Sequence, residues 1–182
     1  MLQWTPEPNV EARTFWRTVT VDRSDVLDRV LALLRREGAR FCAIGGAAVN
    51  AYVEPVVTLA LDLVIATADR DVVEAALGRQ FALERFEHSV NISAPDSDLR
   101  VQVQTDERYQ PFVDRATERE VLGVRLPVAA VEDVLQGKVW AASDPARRAS
   151  KRQKDLADIA RLIEAYPALR GRVPKEILDR LV

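Results

Sequence analysis

The segment "AIGGAAVNAYVEPVVTLALDLVIA", residues 43–66, constrains the fold more than any other part of the sequence. A short apolar run ends in Gly45 and Gly46, and small residues of helical character follow. Residues 58–66 then alternate between large apolar side chains and small ones, as a strand with one buried face does. Asp62 interrupts the small-residue face. The segment therefore predicts a strand, a glycine turn, a short helix and a second strand that carries a single carboxylate.

The glycine pair and the carboxylate each allow two interpretations. A strand that ends in two glycines before a helix lets the backbone approach an anion, which the free N–H groups of the helix then face. Gly45 and Gly46 equally fit a tight turn between strand and helix. Asp62 is either a ligand-binding carboxylate or a strand residue that nearby backbone amides satisfy. An unpaired buried carboxylate is costly, so Asp62 requires some partner.

The rest of the chain alternates between helical and strand patterns. Apolar spacing predicts helices at residues 24–38, 69–80, 129–142, 150–166 and 174–181, and strands or hairpin edges at 81–87, 89–93, 99–105 and 121–128. These elements predict an α+β fold, in which helices flank a mixed sheet and a C-terminal helical segment follows. We expect three regions: an N-terminal arm at 1–22, an α/β core at 23–126 and the helical segment at 127–182.

Composition argues against several kinds of site. The 182 residues include one cysteine, Cys42, and one histidine, His88, so the sequence predicts neither an internal disulfide nor a zinc site. No apolar run approaches the roughly 18 residues of a membrane span, and the N-terminus does not resemble an export signal. We therefore expect a cytoplasmic protein. Its net charge of −2 predicts no general affinity for membranes or nucleic acids.

One segment departs from this balanced charge. The sequence "ARRASKRQK" contains five basic residues: Arg147, Arg148, Lys151, Arg152 and Lys154. If a helix began at Pro145, these charges would crowd its first turns, where the helix dipole disfavours cations. Surface solubility explains such a cluster, and so does contact with an RNA backbone or an acidic partner protein. No aromatic residues are interleaved with the basic ones, so base-specific recognition is not predicted.

This order of features resembles the nucleotidyltransferase superfamily, in particular the minimal nucleotidyltransferases and the AbiEii-like toxins of bacterial toxin–antitoxin and abortive-infection systems. In those families a glycine turn and a short helix lead into a Pro-Arg-x-Thr-x-Asp-x-Asp strand. Its two aspartates, with a third from a later strand, hold magnesium and a nucleoside triphosphate. The sequence "PVVTLALDL" matches at Pro55, Thr58 and Asp62, but has Val56 in place of the arginine and Ala60 in place of the first aspartate.

The resemblance continues downstream of the predicted sheet. AbiEii-like members carry a lysine on one helix and then a second helix with the pattern "KDxxD". Lys138 matches the lysine, and Lys154, Asp155 and Asp158 match the pattern in order. At the position of the third aspartate the resemblance places Gln102. Two of the three metal-binding carboxylates are then absent.

The resemblance implies roles for individual residues. It implies catalytic roles for Asp62, Lys138 and Asp155, and phosphate contacts from Gly45, Gly46, Thr58 and Lys154. The implied cofactor, Mg²⁺, would have Asp62, alone or with Asp155, as its protein ligand, so its binding is expected to be weak or absent. From the residues alone, Lys138 fits a solvated helix position equally well. Asp155 and Asp158 equally fit a solvated helix face, paired with Lys151 and Lys154.

Three functions are consistent with these residues. The first is a catalytically impaired protein of the nucleotidyltransferase fold, a pseudoenzyme, that binds a nucleotide, RNA or a partner protein within a toxin–antitoxin or defence system. The second is an active magnesium-dependent enzyme that transfers a nucleoside monophosphate to RNA, protein or a small molecule. The third is a non-enzymatic antitoxin or scaffold whose basic helix docks a partner. The sequence favours the first, because Val56, Ala60 and Gln102 replace family residues that handle phosphate and metal.

Overall fold

A mixed sheet runs through the protein, whose computed structural model describes residues 25–95, 97–121 and 123–181. The strands are Phe41–Ile44 (β1), Ala60–Ile65 (β2), Ala82–Phe86 (β3), Ser89–Ser93 (β4), Arg100–Gln104 (β5), Thr117–Val121 (β6) and Val124–Val128 (β7). Their order in the sheet is β3-β4-β5-β2-β1-β7-β6. The predicted N-terminal arm, residues 1–22, lies outside the described residues.

Helices account for most of the remaining described chain. They are Val26–Arg36 (α1), Gly45–Val49 (α2), Thr67–Gly78 (α3), Gln110–Asp114 (α4), Val131–Ser143 (α5), Ala149–Ala165 (α6) and Lys175–Leu178 (α7). Two 3₁₀-helices lie at Glu107–Tyr109 and Pro167–Arg172. The sequence does not predict α4 or the 3₁₀-helix before it. Within the described ranges no helix is both long and apolar enough to cross a membrane.

The strand directions bring the ends of three central strands together. Strand β1 pairs antiparallel with β2 and parallel with β7, while β2 pairs parallel with β5. The C-terminal end of β1 therefore lies next to the N-terminal ends of β2 and β5. The predicted α+β fold, a mixed sheet flanked by helices, is confirmed. The last strand ends at Val128, so the sheet runs two residues past the predicted end of the core at residue 126.

The two faces of the sheet differ in polarity. Leu61, Leu63 and Val101 point to one face and are at most 2% exposed. Helix α3 covers this face, where its Gly78 lies against Leu83 of β3, and α1 packs on α3. On the opposite face α2 packs against β1 and β2, and α5 and α6 pack on α2. That second face carries the small and polar residues of β2 and β5.

The long helix α6 begins at Ala149, not at Pro145. Residues 144–148 form a turn instead, because Nη2 of Arg152 donates to the backbone carbonyls of Asp144, Pro145 and Arg147 at 3.2, 3.1 and 2.9 Å. Two of the five basic residues therefore precede the helix. The crowding of all five charges in its first turns, which a start at Pro145 would impose, does not occur.

Candidate functional site

The glycine turn and the strand carboxylate are in direct contact. Ile44, the last residue of β1, pairs with Asp62 of β2. Gly45 follows with a φ of +68°, a backbone conformation that L side chains rarely adopt. A Cβ atom at this position would lie 2.2 Å from Oδ2 of Asp62. Glycine is therefore required at position 45 both by the backbone and by the carboxylate beside it.

Gly46 is less constrained than its neighbour. A Cβ atom there would lie 3.8 Å from Oγ1 of Thr58 and 4.0 Å from Oδ2 of Asp158, which are ordinary contact distances. The backbone of Gly46 does not have a positive φ. Two of the predicted phosphate-binding residues, Gly46 and Thr58, thus lie close together at the first turn of α2.

The pairing of β2 with β5 determines what stands beside Asp62. Gln102 is its partner across the two strands, and Ala60, two residues earlier, is paired with Arg100. Residues two apart on a strand share a face, so these four side chains belong to the same polar face. Nε2 of Gln102 donates to Oγ of Ser89 at 2.7 Å. Asp62 is consequently the only carboxylate among these paired positions.

Lys138 is buried and held by two carboxylates. Its Nζ atom lies 3.0 Å from Oδ1 of Asp155 and 2.7 Å from Oδ2 of Asp158. Burial alone would lower the pKa of Lys138, but the charges of Asp158 and Asp155 outweigh it and raise the pKa above its ordinary value. Asp155 also accepts from Nε of Arg147. Asp155 and Asp158 are therefore paired with Lys138 and Arg147 on other segments and with Arg161 on the same helix. They are not paired with Lys151 and Lys154, the pairing that a solvated helix face would have.

Arg161 extends this network to the loop after α2. It donates to Oδ1 of Asp158 at 2.8 Å, to Oδ1 of Asn50 at 3.3 Å and to the carbonyl of Glu54. The Asn50 side chain also binds the backbone of Val56, donating to its carbonyl at 2.7 Å and accepting from its N–H at 3.0 Å. Val56, which the resemblance places at the position of the arginine, is 54% exposed, and its hydrogen bonds within the described residues are made by its backbone.

A cavity of about 120 Å³ adjoins Asp62. Gln102 lines it from the sheet, Tyr109 and Phe112 line it from the chain after β5, and Arg147 lines it from the loop before α6. Burial raises the pKa of Tyr109 to about 12, so its hydroxyl is neutral at physiological pH. Drug-sized ligands occupy pockets of roughly 300–1,000 Å³, so this cavity accommodates only one part of a larger ligand.

By the cleft we mean this cavity together with the adjoining ends of β2 and β5, where Asp62 and Arg100 lie, and several positive charges act on it. Burial raises the pKa of Asp62, while the charges of Lys138, Lys151 and Arg147 oppose that rise. Burial, and then the charges of Arg100 and Arg147, lower the pKa of Lys151. In the described part of the chain, no hydrogen bond or ion pair engages the Asp62 carboxylate. Asp133 and Asp155 also line the cavity, but Arg115 pairs with Asp133, and Lys138 and Arg147 pair with Asp155. Asp62 is therefore the one unpaired carboxylate among the described residues that line the cavity.

These residues do not fit a two-metal site. The described residues contain no group of three or more histidine, cysteine, aspartate or glutamate side chains placed to hold a metal ion. Asp155 and Asp158 are neutralised by Lys138 and two arginines. Asp62 alone remains to attract a cation, with positive charges around it. The donor set thus differs from the paired carboxylates that bridge two ions in phosphoryl transfer.

The basic cluster of the sequence separates into distinct roles. Arg147 binds Asp155 and lines the cleft, and Arg152 holds the turn before α6. Arg148, Lys151 and Lys154 are all exposed, and Lys151 among them lies near the cleft. Several further residues that shape the site were not predicted from the sequence: Asn50, Arg100, Tyr109 and Arg161. Only Arg100 had a readable signal, since its spacing of two from Gln102 puts it on the same strand face.

The comparison with protein families finds one match over most of the chain. The sequence model described as "Nucleotidyl transferase AbiEii toxin, Type IV TA system" matches residues 19–180. No curated protein matches the sequence.

Solved structures of nucleotidyltransferases are similar in fold. The solution structure of the antibiotic-resistance factor ANT(2'')-Ia superposes with a TM-score of 0.55 and 15% identity, over 80% of this chain and 90% of that one. Lincomycin-bound LnuA, a lincosamide antibiotic adenylyltransferase, has a TM-score of 0.52 and 10% identity, over 79% and 99%. An antigenic nucleotidyltransferase-like protein from Paracoccidioides brasiliensis has a TM-score of 0.52 and 17% identity, over 88% and 78%. At these identities the similarity establishes the fold, which is nucleotidyltransferase-like as predicted.

Gly45→Ala is expected to destabilise the protein by about 3 kcal/mol, because the left-handed backbone costs about 1–2 kcal/mol and the contact with Asp62 adds a steric penalty. Gly38→Ala is the matched control: its φ is +64° but nothing lies within 4 Å of the added Cβ. Urea unfolding of both variants measures the difference. The double variant Gly45→Ala/Asp62→Ala should recover the steric part, and equal losses for the two single variants would contradict the contact.

Lys138→Met is expected to cost about 3 kcal/mol of unfolding free energy, because it leaves the carboxylates of Asp155 and Asp158 buried with incomplete compensation. Lys154→Met, an exposed change on α6, is the control and should alter stability by less than about 0.5 kcal/mol. Chemical denaturation of both variants at neutral pH is the measurement. A similar small loss for both would show that the arginines alone satisfy the two aspartates.

Asp62→Asn is expected to stabilise the protein at pH 7. The pKa of Asp62 is raised above its ordinary value of 3.8, so ionisation of this carboxyl opposes folding. That cost is complete above the folded-state pKa and disappears as the pH falls below 3.8, the ordinary value taken for the unfolded chain. If the acid dissociation constant of a carboxyl group differs tenfold between the folded and the unfolded chain, the free energy of unfolding changes by about 1.4 kcal/mol. Urea unfolding from about pH 4 to about pH 8 should show a gain that grows with pH, whereas the exposed change Asp71→Asn should show none.

Proposed function

Because the chain belongs to the AbiEii nucleotidyl transferase toxin family, we propose that it binds a nucleoside triphosphate in the cleft beside Asp62 and that its capacity for nucleotidyl transfer is impaired. It is then a pseudoenzyme, which keeps the fold and the ligand site of the family and acts through binding.

The residues that stand beside Asp62 in the pairing of β2 with β5 are the main support for impaired catalysis. Phosphoryl transfer with two metal ions depends on carboxylates that bridge the ions and aim the attacking hydroxyl. Ala60 and Gln102 occupy the positions beside Asp62 where such carboxylates would stand. Neither side chain carries a charge. The loss of both removes the electrostatic basis of the reaction while leaving the shape of the cleft intact.

The other two predicted catalytic residues support the same proposal. Lys138 is fixed by Asp155 and Asp158, and their charges keep its ammonium group protonated, so it is unsuited to abstract a proton from an acceptor. Asp155 is in turn held by Arg147. We assign Lys138 and Asp155 to the architecture of the cleft.

Ligand binding in this proposal uses the groups that line the cleft and its mouth. Gly46 and Thr58 lie at the turn after β1, where they would contact the phosphates, and Arg147 and Lys151 would supply positive charge. Lys154, which the resemblance places among the phosphate contacts, is exposed on α6. We propose that Lys154 instead belongs, with its exposed neighbour Arg148, to a surface for an RNA or an acidic protein partner.

The description of the family as a toxin of a type IV toxin–antitoxin system supports a biological setting for this role. In that setting the protein acts in the cytoplasm, in a toxin–antitoxin or defence pair, and the ligand in the cleft controls its interaction with a partner. A catalytic turnover is not required for such control.

An active nucleotidyltransferase is the second candidate, and Asp62 favours it. This carboxylate is unpaired within the described residues, lines the cavity and is maintained against the cost of desolvation. In this candidate Asp62 is the essential acidic residue of a rearranged site.

Two measurements test the proposal. Each of the four nucleoside triphosphates, labelled, is incubated with the protein, Mg²⁺ and cellular RNA, and we expect no labelled product. Thermal melting should show a rise with at least one triphosphate, because a ligand at 100 times its Kd stabilises by about 2.7 kcal/mol, or roughly 5–10 °C for a chain of this size. A labelled product that Asp62→Ala abolishes would establish the second candidate. The absence of any thermal rise would contradict nucleotide binding.

A further inference from the structure

We propose that the cleft binds the polyphosphate part of its ligand without a divalent metal ion, with Arg100, Arg147 and Lys151 taking the place of the metal. This inference rests on the proposed function, since it concerns the same cleft, and it specifies how the ligand is held. The ligand class is a di- or triphosphate, free or attached to a nucleoside.

The first observation is the position of Arg100 in the sheet. It is paired in parallel register with Ala60, the position of the missing aspartate, and it shares a strand face with Gln102, which is paired with Asp62. Its backbone N–H donates to the carbonyl of Leu59 at 3.1 Å, which holds it in register. A guanidinium side chain thus projects from the position opposite the lost carboxylate. This end of the two strands therefore carries the positive charge of Arg100 beside the single carboxylate of Asp62.

The second observation is the convergence of other cations on the same place. Arg147 lines the cavity next to Asp62, and Lys151 follows on the first turn of α6. The charges of Arg100 and Arg147 are near enough to Lys151 to disfavour its ammonium form. Within the described residues no carboxylate forms an ion pair with Arg100 or Lys151. Arg147 is already paired with Asp155, but Arg100 and Lys151 repel each other until an anion lies between them.

Charge balance favours a polyphosphate over a metal ion in this cleft. Asp133 and Asp155 also line the cavity but are paired with cations, so a Mg²⁺ ion would have Asp62 as its one unpaired carboxylate ligand, near the positive charges of Arg100, Arg147 and Lys151. A triphosphate is attracted by those charges, and arginine offers a planar fork of donors that matches two phosphate oxygens. The cavity of about 120 Å³ accommodates the terminal phosphates, and the remainder of the ligand extends through the mouth of the cleft.

Isothermal titration of the full-length protein with tripolyphosphate, and then with ATP, tests the inference. Each titration is performed in EDTA and again with excess Mg²⁺. We expect binding in EDTA, no tighter binding with Mg²⁺, and affinity at least about tenfold weaker for Arg100→Gln, since a charge-assisted hydrogen bond contributes that much. Arg79→Gln, an exposed change at the end of α3, is the matched control and should bind as the unchanged protein does.

A further variant separates charge from shape. Ala60→Asp/Gln102→Asp restores the two carboxylates, so its binding in EDTA should weaken by at least about tenfold and should be partly recovered by Mg²⁺. Binding that requires Mg²⁺, is lost in Asp62→Ala and is unchanged in Arg100→Gln would overturn the inference but leave nucleotide binding in place. No binding of either ligand in either condition would overturn the inference and the proposed function together. Thermal melting of each variant confirms that it is folded.

Discussion

The buried ammonium group of Lys138 is the interaction on which the shape of the cleft depends. Asp155 and Asp158 compensate its charge at 3.0 and 2.7 Å, and Arg147 and Arg161 occupy the remaining carboxylate oxygens. Ions removed from water are stable only in a complete network, because each uncompensated charge costs several kcal/mol. The network joins α5 to α6, and Arg161 joins α6 to the loop after α2. Ion pairs, in addition to apolar packing, therefore hold the elements around Asp62 in place.

This architecture has a chemical consequence. The carboxylates of Asp155 and Asp158 each accept from two cationic side chains, so little of their charge is left to attract a metal ion. With Ala60 and Gln102 on the strands, Asp62 is left as a single negative charge in a positive environment. In the proposed binding mode, a protein of the AbiEii family retains the sheet, the glycine turn and the helices of the fold while its cleft attracts anions in place of metal ions. The fold and the chemistry of the site are separable because backbone register determines the first and a few side chains determine the second.

The sequence predicted the fold better than the site. The reason is that strand patterns are local in the sequence, whereas the contacts of the site join residues that are far apart in it. Alternation over residues 59–65 and 99–105 is a local signal, and it identified both central strands and the dry face of each. The pairing of Asp62 with Gln102 joins strands distant in the sequence, so only the family resemblance suggested it. The burial and ion pairs of Lys138 were not predicted, because the interpretations left open were a catalytic residue and a solvated one, and its partners lie on another helix. The turn before α6 was not foreseen either, since it is held by contacts of the Arg152 side chain that have no periodic pattern.

The contact between Gly45 and Asp62 favours the ligand-binding interpretation of that carboxylate over the structural one. If Asp62 were an ordinary strand residue satisfied by backbone amides, hydrogen bonds to it would be present and its pKa would be lowered by them. Within the described residues its side chain accepts none, and burial raises its pKa. The residue beside it has a backbone conformation, φ +68°, and a clearance that only glycine tolerates. The unpaired carboxylate of Asp62 and the left-handed backbone of Gly45 each cost stability, and both lie beside the cavity. Such local costs are typical of ligand sites, where the bound molecule supplies the missing partner.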